Sequence, residues 1–227
     1  MLAFAADGAF AEYLVVPARC LVTLPEEIPF ERAAPLCCAG ATSVHALNEA
    51  DVAPGELVVV LGAGGVGLAA VAEAHRRGAT VVAVSRREAR RRAATVAGAA
   101  AVVDLAGLPT AVARLSIGQG ADVVLETAGV DATMRAATEV LGRRGRLVFV
   151  GYSADTLTVS PLAMVVPEQR ILTSVGNTFP ELVATVALAR TGQLLPPVDD
   201  VLPLAEVNIA LDRLRSGDPV GRLVLAP

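Results

Sequence analysis

Short aliphatic and β-branched runs alternate with longer segments whose apolar positions recur every three or four residues, and this rhythm fills the middle of the chain. Leu57 to Leu61, Thr80 to Val84, Ala101 to Val103, Asp122 to Glu126 and Arg146 to Val150 are expected strands. The stretches between them, about 66–77, 87–96, 109–117 and 131–141, suit helices. Val-rich runs without polar alternation fit strands buried on both faces, and the intervening helices supply the covers, so the pattern predicts a parallel sheet. A sixth strand is expected at Ile171 to Val175, after a connection through Pro161 and Pro167; Pro180 then opens a helix to about Arg190.

The two ends break the rhythm. Residues 8–30 suggest two extended pieces, about Ala11 to Val16 and Cys20 to Leu24, punctuated by Pro17, Pro25 and Pro29. Residues 196–227 start on Pro196 and Pro197, pass through a helix at about 204–215 and a turn at Ser216 to Pro219, and finish on a strand at Arg222 to Leu225. Such flanks are thin for an independent domain. The expected organisation is one doubly wound α/β domain over 39–195, with pieces of a second lobe at 1–38 and 196–227.

Composition narrows the chemistry. Two Tyr, five Phe and no Trp leave the core to Ala, Val and Leu. A net charge of -4 gives no general attraction to nucleic acid or an anionic membrane, so neither is an expected partner. All 19 basic residues are Arg, which excludes a Schiff-base lysine, a lysine general base and a phosphate-loop lysine. Cys20, Cys37 and Cys38 suggest no disulfide framework, and a reducing, cytoplasmic setting is expected. The longest charge-free stretches, 33–48 and 57–72, carry turn signals and are too short for a membrane span.

The sharpest signal is GAGGVG at 62–67, following a Val-rich strand and opening a helix. In this setting Gly62 permits the tight turn, Gly64 lets a pyrophosphate approach the backbone, and Gly67 lets helix and strand pack closely. The free amides of the helix opened by Gly65 and Val66 then meet phosphate charge without a lysine. A dinucleotide site is therefore expected here. At the end of the second strand, where an acid would accept the ribose hydroxyls, Ser85 stands before Arg86 and Arg87. A hydroxyl leaves room for a 2′-phosphate and a guanidinium binds it, which favours NADP(H) over NAD(H), with NAD still admissible. Arg90, Arg91 and Arg92 are expected to form a solvated helix face. Gly129 and Gly151 follow strand ends where the nicotinamide half would run, and Asn177 and Thr178 hold a similar mouth position. Glu126 either faces the cofactor or caps the next turn.

Five stretches carry a family resemblance: GAFAEYLVVPA at 8–18, PLCCAGATSVHAL at 35–47, PGELVVVLGAGGVG at 54–67, DVVLETAG at 122–129 and PLAEVNIALDRLRSGDPVGRLVL at 203–225. In this order they resemble the C-terminal two thirds of a zinc-type alcohol dehydrogenase of the medium-chain dehydrogenase/reductase superfamily. The resemblance implies a Rossmann-type nucleotide domain beside a GroES-like β lobe, remnants of which would be the two flanks. It implies Cys38 as the remaining ligand of a catalytic zinc and Thr42 beside the nicotinamide. It further implies hydride transfer between NADP(H) and an alcohol or aldehyde, with zinc polarising the oxygen, in a homo-oligomer.

The departures from that pattern matter. The segment holding the family's other zinc ligands is not in the sequence before residue 8, and catalytic zinc wants three protein ligands. His45 lies about two helical turns beyond Cys38, roughly 10 Å along the axis, and reads as a packed or surface residue. His75 reads as capping or solvated and Cys37 as structural, while Cys20 has no partner in view. The chain alone is thus expected to retain little zinc, and three origins stay open: a fragment, a misplaced start or a truncated paralogue. A non-catalytic NADP-binding module is the alternative function. A zinc-free quinone reductase is disfavoured by Cys38 in its CAG context.

Overall fold

A computed structural model of the chain describes residues 8–227. In chain order the elements are α1 (Phe30–Ala33), α2 (Ala39–Glu49), β1 (Leu57–Leu61), α3 (Gly65–Arg76), β2 (Thr80–Val84), α4 (Glu88–Val96), β3 (Ala101–Val103), α5 (Leu108–Leu115), β4 (Ala121–Glu126), α6 (Asp131–Val140), β5 (Leu141–Phe149), α7 (Pro161–Val165), β6 (Arg170–Thr173), α8 (Phe179–Arg190), β7 (Val198–Pro203), α9 (Val207–Ser216) and β8 (Arg222–Ala226). Six strands form one parallel sheet in the order β3-β2-β1-β4-β5-β6, the doubly wound Rossmann-type arrangement. Strand order reverses between β1 and β4, so the crevice beyond their C-terminal ends is where this architecture accepts ligands.

Alternation along β1 builds the core. Val58 and Val60 point into one apolar cluster with Leu47, Leu68 and Val71 from α2 and α3. Leu57, Val59 and Leu61 point into the other, against Leu108 and Val112 of α5 and Ala137 of α6. Small side chains allow this: α3 presents Gly67, Ala69, Ala70 and Ala74 as buried residues, so it packs close to the sheet without aromatic bulk.

The ends correct the sequence expectation. Neither Ala11 to Val16 nor Cys20 to Leu24 forms a strand, and Ala18–Cys20 is a single 3₁₀ turn. Extended backbone without a neighbour to accept its hydrogen bonds does not make a sheet, and no described strand pairs with these pieces. Conversely, β7 pairs in parallel with β8 as a separate two-stranded sheet, a strand not expected from a sequence interrupted by Asp199 and Asp200. The connection before β6 holds the short α7, and β5 begins at Leu141, ahead of the expected Arg146, with a register shift against β4. Strand β6 ends at Thr173, short of the expected Val175 and before Gly176, whose φ is +65°. Among the described residues no helix is long and apolar enough to cross a membrane.

Candidate functional site

The glycines between β1 and α3 do three different jobs. Gly62 has φ +102°, and a Cβ there would lie 2.8 Å from Thr127 Oγ1, whose hydroxyl donates to the Leu61 and Gly62 carbonyls at 2.8 and 2.9 Å. At Gly67 a Cβ would fall 1.8 Å from the Gly62 oxygen, so only hydrogen fits where helix and turn meet. Gly64 differs, because no atom lies within 4 Å of its would-be Cβ. It is the N-cap of α3 and offers no side-chain cap, which leaves the first amides of the helix, from Gly65 and Val66 on, available to an anion.

Arg222, at the start of β8, lies across this helix terminus. A Cβ at Gly65 would meet its Nε at 2.3 Å, its Nη2 donates to Cys38 Sγ at 3.2 Å, and its Nε is buried without a partner among the described residues. The sequence reading missed this residue, since its contacts are made from the far end of the chain.

Ser85 leaves β2 with its amide bonded to the Val103 carbonyl, and its hydroxyl accepts from the Arg87 amide at 3.3 Å. With Arg86, Arg87 and Arg90 it lines an open cavity of about 330 Å³. Arg87 donates to the Ser216 carbonyl and Arg90 to those of Gly217 and Pro219 at 2.7 and 3.0 Å. Burial, then the charges of Arg87 and Arg86, hold the Arg90 pKa below the usual arginine value, against the opposing pull of Asp199 and Asp218. The expected solvated face is corrected here. Arg90 is engaged as described, Arg91 donates to the Ser85 and Arg86 carbonyls at 3.0 and 3.1 Å, and only Arg92, paired with Glu88, stands in solvent.

On the other side of the crevice, Gly129 and Gly151 pack back to back. A Cβ at Gly129 would sit 2.6 Å from the Tyr152 nitrogen, and one at Gly151 2.5 Å from the Gly129 nitrogen. They border a cavity of about 260 Å³ with Met134, Phe149 and Leu157. Glu126 is fully buried and accepts from the amides of Ala128 and Gly129 and from the Thr133 hydroxyl at 2.6 Å, so it caps the turn into α6.

Thr42 is buried one turn into α2, its amide bonded to the Cys38 carbonyl at 2.9 Å. Cys38 itself is exposed, with a cation as its polar neighbour, and among the described residues no three His, Cys, Asp or Glu side chains gather as a metal centre would need. The residues present therefore do not fit a complete zinc site. His45 instead meets the Glu181 carboxylate at 3.0 Å. Asn177 and Thr178 are turned to structural work: Asn177 donates to the Cys37 carbonyl at 3.1 Å, and Thr178 forms a capping box with Glu181 at the start of α8. Burial, then the neighbouring Cys38, pushes the Cys37 thiol up. Cys37 and Cys20 both line an apolar groove of about 860 Å³, floored by Leu36, Val186 and Val224.

A family profile described as zinc-binding dehydrogenase matches residues 65–190, more than half of the chain. The chain belongs to the zinc-binding dehydrogenase family. It is 34% identical over 226 residues to an NAD-dependent alcohol dehydrogenase of Sulfurisphaera tokodaii, covering 97% of this chain and 65% of that protein. To a D-arabinose 1-dehydrogenase (NADP(+)) of Saccharolobus solfataricus it is 28% identical, covering 97% and 65%. The crystal structure of the Aeropyrum pernix alcohol dehydrogenase superposes with a TM-score of 0.91 at 34% identity, covering 98% of this chain and 66% of that chain. The chain thus spans about 65% of the length of the curated relatives it matches.

Proposed function

We propose that this zinc-binding dehydrogenase chain is the nucleotide-binding part of an alcohol dehydrogenase, with NADP(H) the preferred cofactor and an alcohol or aldehyde the substrate. The observation that carries the reading is the uncapped start of α3, open beside Gly64 and crossed by the Arg222 guanidinium. The amides of Gly65, Val66 and Gly67 and the Arg222 fork would hold the pyrophosphate. Ser85 and Arg86 would hold the 2′-phosphate, where the crowded arginines favour an added anion. Thr42, Gly129 and Gly151 would border the nicotinamide half. When bound, the nicotinamide supplies or accepts the hydride. What the chain's own residues contribute is anchoring and orientation, and no step is assigned to Cys38 through a metal.

In this reading 39–195 is the nucleotide domain, while 1–38 and 196–227 belong to a GroES-like catalytic lobe whose surface is the apolar groove. The setting is cytoplasmic and the chain self-associates. Strand β6 is an open edge of the sheet, and Leu162, Val165, Val166 and Val175 around it are exposed. A second reading, a dinucleotide-binding module without alcohol turnover, is favoured by one observation: the polar partner of Cys38 is Arg222. Titration calorimetry with NADPH and NADH at one ionic strength, beside an NADP-linked alcohol assay, tests both. Tighter NADPH binding is expected; tighter NADH binding overturns the cofactor assignment, and turnover by the chain alone overturns the second reading.

A further inference from the structure

The turn joining α9 to β8 has little internal stiffness, because Gly217 and Gly221 bracket it with φ +70° and +107°. Its shape is imposed by two clamps. From the β7 side, Asp199 accepts from the Val220 amide at 3.0 Å and the Pro197 carbonyl from the Arg222 amide at 2.9 Å. From the nucleotide side, Arg87 donates to the Ser216 carbonyl and pairs with Asp218 at 3.8 Å, and Arg90 donates to the Gly217 and Pro219 carbonyls at 2.7 and 3.0 Å, with Nε adding a contact to Pro219 at 3.2 Å. Three residues after Pro219 comes Arg222, lying over Gly65 with an unpartnered buried Nε.

We propose that Arg90 is a positioning residue for dinucleotide binding: by forking onto the turn carbonyls it fixes where Arg222 lies across the start of α3. This rests on the reading of that helix start as the pyrophosphate seat. Arg90 commits Nε and Nη2 to carbonyl oxygens of the turn, and it is through this hold on the turn that it acts on Arg222 and the pyrophosphate seat. The β7 clamp ties the turn only to the two-stranded sheet. Arg90, on the helix that follows β2, ties it to the sheet that carries the glycine turn.

Three consequences separate this from direct contact with a 2′-phosphate. Arg90→Gln should weaken ADP, which has a pyrophosphate and no 2′-phosphate, about fivefold, and weaken adenosine 2′-monophosphate less than ADP. Arg222→Gln should weaken ADP about tenfold, as loss of a charged hydrogen-bond donor does. The double variant should be no weaker than Arg222→Gln alone, because Arg90 has nothing left to position. Arg90→Lys keeps the charge but cannot fork onto two carbonyls, and should behave like Arg90→Gln; it also serves if the glutamine variant folds poorly. Thermal midpoints are recorded for every protein.

The proposal falls if Arg90→Gln lowers only the midpoint, if it weakens adenosine 2′-monophosphate as much as ADP or more, if Lys restores ADP binding in full, or if the two losses multiply in the double variant. Unchanged ADP affinity in Arg222→Gln would instead remove the pyrophosphate reading on which it rests.

Discussion

Two glycines three residues apart should respond in opposite ways to a side chain. Gly67→Ala puts a methyl 1.8 Å from the Gly62 oxygen and 2.9 Å from its carbonyl carbon, both backbone atoms that no rotamer change can move. Relief requires α3 to ride away from β1 by more than an ångström, opening contacts among Leu68, Val71, Val58 and Val60 in a close-packed layer. Overpacking of this kind costs about 1–3 kcal/mol, and the better helix propensity of Ala returns about 1 kcal/mol. The clash is with backbone, which puts the cost at the upper end, so a net loss of about 2 kcal/mol is expected, read as a lower urea midpoint with an unchanged slope. At Gly64 the Cβ of a valine would have no atom within 4 Å, so stability should stay within about 0.5 kcal/mol of the parent. Its branches would stand in the path to the α3 amides, and dinucleotide affinity should fall at least about tenfold, about 1.4 kcal/mol. A Gly67→Ala protein as stable as the parent would refute the packing argument. A folded Gly64→Val protein with parental affinity in calorimetry would refute the placement of the site.

Three further outcomes are expected. Ser85→Asp combined with Arg86→Ala should reverse the preference from NADPH to NADH at fixed ionic strength, since it installs a ribose acceptor and removes a phosphate donor; an unreversed ratio counts against the cavity as the 2′-phosphate seat. Burial pushes the Glu181 pKa up, but hydrogen bonds from Thr178, Asn48 and His45 outweigh it and hold the carboxyl at about 2 against an ordinary 4.5. Its stabilisation is therefore complete above about pH 4.5 and lost as pH falls toward 2, worth about 2 kcal/mol after screening, so the thermal gap between parent and Glu181→Gln should close in acid; a gap that persists at pH 2 contradicts the assignment. Mass spectrometry of the purified chain should find well under one zinc per molecule, and a stoichiometric zinc lost on Cys38→Ala would reveal a centre absent from the described residues.

The centre of the six-stranded sheet was legible because β1, β2 and β4 are almost entirely buried. Runs such as LVVVL at 57–61 carry no polar interruption, and tertiary context had little left to decide. Strand β7 was not legible for the opposite reason. Its sequence VDDVLP is mostly exposed, and it becomes a strand only through pairing with β8, whose Arg222 lies opposite Val198. Ala11 to Val16 shows the converse: a plausible extended run joins no described strand, and without a ladder it forms no sheet.

The site divides along the same line. Three glycines within six residues perform local tasks, so their spacing alone revealed the turn. The arginines of 86–92 are chemically alike, and their roles were set by helix geometry and by a partner more than a hundred residues away. Arg87, Arg90 and Arg91 stand at i, i+3 and i+4, one face of α4, whereas Arg92 turns outward to Glu88. That periodicity was available in the sequence and marks one face as different from a uniformly solvated helix. It does not say what the face meets. For Arg87 and Arg90 the answer is the carbonyls of Ser216, Gly217 and Pro219, from a turn whose one charged side chain, Asp218, reaches Arg87 only at 3.8 Å, so most of the guanidinium contacts are made to backbone. Backbone acceptors leave no residue-type signature, and so an arginine bound to them looks in sequence like one bound to water.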